Sequence, residues 1–324
     1  MNVRHTAALA VGCFSLVAGP VDARPTYTTF DVAGNSTFVT DLNGSNTVIG
    51  FMFGSRASFV RMADGTITTF DVGGAETLAT AINDAGQVAG YYIDGNGEHG
   101  FLRAGDGTIE SFDVPKGDYT EPSAINNQGE ILGCFDLCQH AFLRSPQGKI
   151  TKFDVPKLDD VDDINDSGAV IGTYGSYVDG FHGFLRTEDG TLTSIDVPGA
   201  QYTFATAIDK AGSITGQYQN ADGSSHGFLR APDGTVTTFD APDCVVSPVS
   251  INGKGAIAGP CMTGKSKVPH KSIGFIRTAG GAIKEYRVPN GSRTNPAAIN
   301  NSGVVAGDYK DHDTGTTRAF LRIP

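Results

Sequence analysis

Beyond residue 23, apolar positions come in short bursts and never at helical spacing. In residues 79–114 the bursts are Ala79–Asn83, Gln87–Tyr92, His99–Arg103 and Ile109–Val114. Alternation along Ile109, Ser111, Phe112 and Val114 is imperfect but strand-like. The links between bursts are turn sequences. Asn83-Asp84-Ala85-Gly86 has counterparts ending in Gly129, Gly168, Gly212, Gly255 and Gly303, with Asn46 in the first copy. Gly and Asn are the residues that tolerate φ > 0, so each predicts a tight hairpin. Asp64-Gly65-Thr66, Asp106-Gly107-Thr108, Asp189-Gly190-Thr191 and Asp233-Gly234-Thr235 predict a second hairpin. The unit is thus four short antiparallel strands, A to D.

That unit recurs seven times. Phe-Asp-Val starts at Phe30, Phe70, Phe112 and Phe153 and continues as Ile195-Asp196-Val197, Phe239-Asp240-Ala241 and Tyr286-Arg287-Val288. Ile-Asn recurs in phase at Ile82, Ile125, Ile164, Ile251 and Ile299, with Ile208-Asp209 and Leu42-Asn43 as variants. Strand C ends in Arg61, Arg103, Arg144, Arg186, Arg230, Arg277 or Arg322. Four strands about every 42 residues is the period of a β-propeller blade. A parallel β-helix has shorter coils and no such hairpins. The chain opens on a D strand, Thr26–Val32, and stops after a C strand, Ala319–Ile323. The prediction is an all-β, seven-bladed propeller of four-stranded antiparallel blades, closed by its N-terminal strand, which also removes sheet edges.

Composition changes the picture at four points. Residues 1–23 carry Arg4 and His5, then an apolar stretch from Thr6 to Val21, then Val21-Asp22-Ala23. That is the pattern of a cleavable export signal, which leaves residues 24–324 as one propeller domain, secreted or periplasmic. No later run is long enough for a membrane span. A net charge of −11 excludes nucleic acid as the main partner. Cys134, Cys138, Cys244 and Cys261 are an even set in an exported chain. Their loop positions favour Cys134–Cys138 with Cys244–Cys261, whereas the spacing is poor for structural zinc.

Strand C starts His140-Ala141-Phe142 in blade three and His-Gly-Phe at His99, His182 and His226. With the Phe-Asp-Val and Ile-Asn elements, this resembles the HAF-repeat family of bacterial extracellular proteins across residues 26–324. Blades one, six and seven depart, with Ala57, Ile273 and Arg318 at the His position. The resemblance implies an exported repeat protein and brings no catalytic residues.

Candidate chemistry is sparse. The four histidines stand far from the axis, so a metal ring is not expected; each should make a local hydrogen bond. The strand C Arg and the Asp of Phe-Asp-Val are expected to pair across strands. The longer, variable D–A and B–C loops share one end of the ring, where function is expected. Asp159, Asp160, Asp162 and Asp163 form an acidic run there, a candidate Ca²⁺ site. Asp163 and Asp41 replace a small residue of strand A and are expected at the channel mouth of that face, as acid and base or as calcium ligands. A solvated loop with satisfied carboxylates is the simpler reading. His312, between Asp311 and Asp313, is a further candidate base.

For binding, Tyr91, Tyr92, Tyr119, Tyr174, Tyr177, Tyr202 and Tyr218 cluster near the same face, and Lys265, Lys267 and His270 form a basic loop. No nucleophile elbow, zinc-protease helix or phosphate loop is present. The function expected is a monomeric binding module that recognises an extracellular glycan or protein through the D–A/B–C face. A hydrolase or lyase at the channel mouth and a structural envelope protein are the alternatives.

Overall fold

The computed structural model describes residues 24–263 and 271–324. The export-signal segment and Lys265, Lys267 and His270 lie outside the described residues. The described chain consists of strands and turns, without a helix.

Seven antiparallel sheets form a ring, a seven-bladed β-propeller. Blade two shows the pattern: Glu76–Ile82, Val88–Asp94, Gly97–Arg103 and Ile109–Phe112, paired in sequence order. Glu76–Ile82 lines the central channel and Ile109–Phe112 lies outermost. Closure is as expected. Thr26–Phe30 is the outer strand of blade seven and pairs with Thr317–Ile323, placing Thr26 opposite Ile323. In blade six the inner strand is split into Cys244–Val246 and Ser250–Ile251, both paired with Ile257–Thr263.

The core lies between blades, and within each blade one contact repeats. A strand C Phe, such as Phe142, is fully buried across the face of a strand B Gly, here Gly133. A Cβ on Gly133 would meet the Glu121 carbonyl at 2.4 Å and the Phe142 ring at 2.6 Å. Only Gly lets the backbones come this close. Each buried Phe contributes about 2–3 kcal/mol by leaving water.

The arginines that end strand C do not pair with the Phe-Asp-Val aspartates, although Asp31 takes Arg318, from the start of its strand, at 3.2 Å. Register is the reason: in blade two Arg103 stands opposite Ile109, whereas Phe112 stands opposite Gly100, at the other end of the hairpin. Arg61, Arg103, Arg144, Arg186, Arg277 and Arg322 instead lie 4.6–5.1 Å from the ring centroids of Phe30, Phe70, Phe112, Phe153, Phe239 and Tyr286. Each ring belongs to the preceding blade, so these cation–π contacts join blades.

Candidate functional site: an apolar rim around an acidic pocket

The aspartates left without arginines take the histidines. Nδ1 of His99, His140, His182 and His226 stands 2.6–2.7 Å from Oδ1 of Asp113, Asp154, Asp196 and Asp240. The expected local hydrogen bond is therefore present, with the neighbouring strand as partner. Each imidazole also lies 5.1–5.3 Å from the ring of Tyr92, Phe135, Tyr174 or Tyr218. Burial opposes the charged form of His99, but Asp113 and Asp94 outweigh it and raise its pKa. Tyr92, Tyr174 and Tyr218 thus support histidines, and Tyr202 packs on Phe181 and Phe204. Of the proposed binding tyrosines, Tyr119 and Tyr177 are exposed, and Tyr91 lines a pocket.

Sequence reading missed the apolar tips other than Tyr177. In four successive blades, at or beside the B–C turn, Phe53, Ile93, Leu137 and the pair Tyr177 and Val178 face water. Their exposure is 74%, 37%, 67%, 85% and 93%. Lone exposed apolar residues are ordinary, but an arc of them on one face is not. Leu137 is held outward by backbone geometry. Asp136, Leu137 and Cys138 all have φ of 56–57°, and the Cys134–Cys138 disulfide closes this turn. The second disulfide is Cys244–Cys261, so both expected pairs form.

Inside the arc lies a cavity of about 320 Å³, lined by Thr80, Tyr91, Glu121, Pro122, Ser123, Cys134, Cys138, Asp160, Val161 and Asp162. Burial, then a hydrogen bond with Glu98, pushes Glu121 up to about 7. Asp160, at the rim, is raised by partial loss of water. Asp162 is raised well above the usual carboxylate range by burial and by its Asp160 and Asp163 neighbours. It is the extra residue of a β-bulge, and its Oδ2 is buried with no hydrogen-bond partner. Glu121 belongs to this group and no sequence signal singled it out.

The structure disperses the acidic run proposed for calcium. Asp159 is exposed, Asp160 and Asp162 face the cavity, and Asp163 lies further down the channel. Among the described residues, ligand atoms gather within 4.8 Å only in Glu121–Cys134–Cys138 and Cys244–Cys261–Glu285, whose cysteines are all in disulfides.

Asp41 and Asp163 sit towards the opposite mouth, that of the A–B turns, where they line one cavity with the Asn43, Asn83 and Asn126 turns. The reason is position: both are next to last in strand A, far from the D–A loop. Their carboxylates bracket blades. Asp41 accepts N–H bonds from Leu42 and Ile82 at 2.7 and 2.9 Å, and Asp163 from Ile164 and Ile208 at 2.8 and 2.9 Å. Burial nevertheless pushes Asp41 up to about 6 and Asp163 up to about 7. His312 is 74% exposed, with its imidazole 3.4 Å from Asp313. The structure does not unite it with either aspartate.

At that mouth the Ile-Asn repeat finds its role. Each Asn Nδ2 donates to the carbonyl of its equivalent in the next blade, as from Asn43 to Asn83, Asn83 to Asn126, and Asn126 to Asn165. Its Oδ1 caps its own A–B turn, as Asn126 does for Gln128 and Glu130.

No protein-family model matches the chain, and no curated protein matches it. Solved structures do. The selenomethionine form of virginiamycin B lyase from Staphylococcus aureus is similar at a TM-score of 0.65 and 14% identity, over 93% of this chain and 99% of that one. A catalytically inactive His-to-Ala variant of that lyase, crystallised with quinupristin, gives 0.61 and 15% over 93% and 99%. Pyrococcus horikoshii acylaminoacyl peptidase gives 0.62 and 11% over 88% of this chain and 51% of that one. At such identities the likeness establishes the propeller fold and nothing finer.

Proposed function

We propose that this propeller is an extracytoplasmic binding module whose D–A/B–C face takes up a macromolecule. The observation that carries this is the arc of water-facing Phe53, Ile93, Leu137, Tyr177 and Val178 across four consecutive blades. Aliphatic and aromatic tips together suit a protein surface better than a glycan, which stacks on aromatic faces alone. Two disulfides agree with an oxidising compartment, as does the export-signal pattern of residues 1–23. The His-Gly-Phe motif supports placing the chain with the HAF-repeat family.

The test is a triple variant, Phe53→Ser/Leu137→Ser/Tyr177→Ser, compared with wild type on extracellular-protein and glycan arrays. These side chains are exposed, so melting should be unchanged while specific array binding falls at least tenfold. Equal binding by both proteins sinks the reading.

A second reading, an extracellular hydrolase or lyase, draws on Glu121, raised to about 7 in a cavity on the same face. A carboxyl poised near neutrality suits general acid–base work. Turnover of a screened substrate that is lost in Glu121→Gln would favour it.

A further inference from the structure

The acidic cavity has a feature that the binding reading does not need. Its lining carries Glu121, Asp160 and Asp162, yet no lysine, arginine or histidine. Glu98 adds a fourth carboxyl through Glu121. Asp162 Oδ2 is buried with nothing to accept from. An oxygen in that state is destabilising unless a donor arrives.

The repeat shows what that position usually holds. The bulge residues of blades one, two and five are Thr40, Thr80 and Thr206. Their hydroxyls donate to the next blade's Ala79, Pro122 and Pro248 carbonyls, each at 2.9 Å. Asp162 puts a carboxyl where three other blades put a hydroxyl, its Oδ2 finds no partner, and a cation arriving there would hold it in the charged form.

We propose that the cavity receives an arginine side chain presented by the macromolecule bound on the apolar rim. The proposal rests on the binding-face reading and names the chemistry of its partner. The pocket carboxyls do not gather within metal-ligating distance, so a compact ion cannot meet them together without side-chain movement. A guanidinium spreads five N–H donors over a plane and serves separated carboxylates at once. Tyr91 offers an aromatic wall. The rim apolar tips then cover residues flanking the arginine, the arrangement of a buried anchor within a water-excluding border.

The experiment titrates acetyl-arginine-amide, and the neutral isostere acetyl-citrulline-amide, into wild type, Asp162→Asn, Glu121→Gln and the triple rim variant. Wild type should bind the arginine compound saturably at about millimolar, the range for one anchored side chain, and more weakly as salt rises. Citrulline should not bind. Asp162→Asn and Glu121→Gln should each weaken arginine binding at least tenfold. The rim variant should keep it, which separates failure of the pocket from failure of the face. Equal binding of citrulline, no arginine binding, or unchanged affinity in both pocket variants overturns the proposal. So does Ca²⁺ filling the pocket at micromolar concentration and excluding arginine, which would make it a metal site. Asp162→Thr, which restores the hydroxyl of the other blades, covers the case where Asp162→Asn fails to fold; it too should lose arginine binding.

Discussion

Asn300 Nδ2 donates to the Asn43 carbonyl at 3.1 Å, across a sequence separation of 257 residues. This bond closes the inner ring at the seam where the chain's two ends meet. The equivalent bond from Asn252 reaches Asn300 at 2.8 Å, and that from Asn165 reaches Asp209 at 3.3 Å. The circuit lacks its link only from Asp209 to Asn252, because a carboxylate has no N–H to give.

Asp209→Asn should complete the circuit. Asp209 Oδ1 already caps Ala211 and Ser213, and an amide keeps that acceptor while adding the donor. A net hydrogen bond stabilises by about 1 kcal/mol, which raises Tm by about 2 °C in a chain of this size. A calorimetric scan reads it. An unchanged or lower Tm would show that the inner circuit adds nothing to stability.

Asp163 makes stability depend on pH. Its pKa is raised from 3.8 to about 7, and that of Asp41 from 3.8 to about 6. Between those values the folded chain holds protons that the unfolded chain releases, so stability falls as pH rises from about 4 to 7. Asp163→Asn cannot ionise, but it loses one of two acceptors, at a cost of about 1 kcal/mol. Wild type should therefore be the more stable at pH 5, with its lead shrinking or reversing by pH 8. Paired thermal melts across that range decide; a difference independent of pH contradicts the raised pKa.

Two glycines separate crowding from backbone conformation. Gly133→Ala drives a methyl into the Glu121 carbonyl and the Phe142 ring and should destabilise by about 3 kcal/mol. Gly199 has φ of +84° but open space around its Cβ position. Gly199→Ala should cost about 1 kcal/mol, from the left-handed backbone alone. Urea unfolding of the two variants checks the order, and comparable losses would contradict the packing account.

The two disulfides should differ in weight. Cys244 and Cys261 are 17 residues apart, Cys134 and Cys138 only 4. Loop-closure entropy gives about 3 and about 2 kcal/mol respectively. Removing Cys134–Cys138 also frees three left-handed residues, which offsets part of its loss. The Cys244→Ala/Cys261→Ala variant should thus melt lower than Cys134→Ala/Cys138→Ala, whereas the latter should be nicked faster by protease near Leu137. The reverse melting order would show that loop length does not govern either bond.

Much of the architecture is written in local signals. Turn residues such as Gly86 and Asp106-Gly107 depend only on φ and on their immediate neighbours, so they mark hairpins without any fold in view. Their spacing, with the D strand at Thr26 and the C strand at Ile323, is enough to count seven blades and to close the ring. Cysteine pairing follows, because both pairs lie at the same end of the ring and close together in sequence.

Tertiary structure decided what those positions meet. The partner of Arg103 depends on strand register and on the preceding blade, so a cross-strand ion pair with aspartate became a stack on Phe70. The end of the channel reached by Asp41 and Asp163 depends on how far along strand A they lie, a matter of two or three residues. Glu121 became a candidate because Glu98, from the adjacent blade, approaches it across the interface between the two. Sequence by itself determined the fold, since a repeat of short strands and tight turns has few closed solutions. The site required contacts between residues about 20 to 250 positions apart, and no local propensity encodes those.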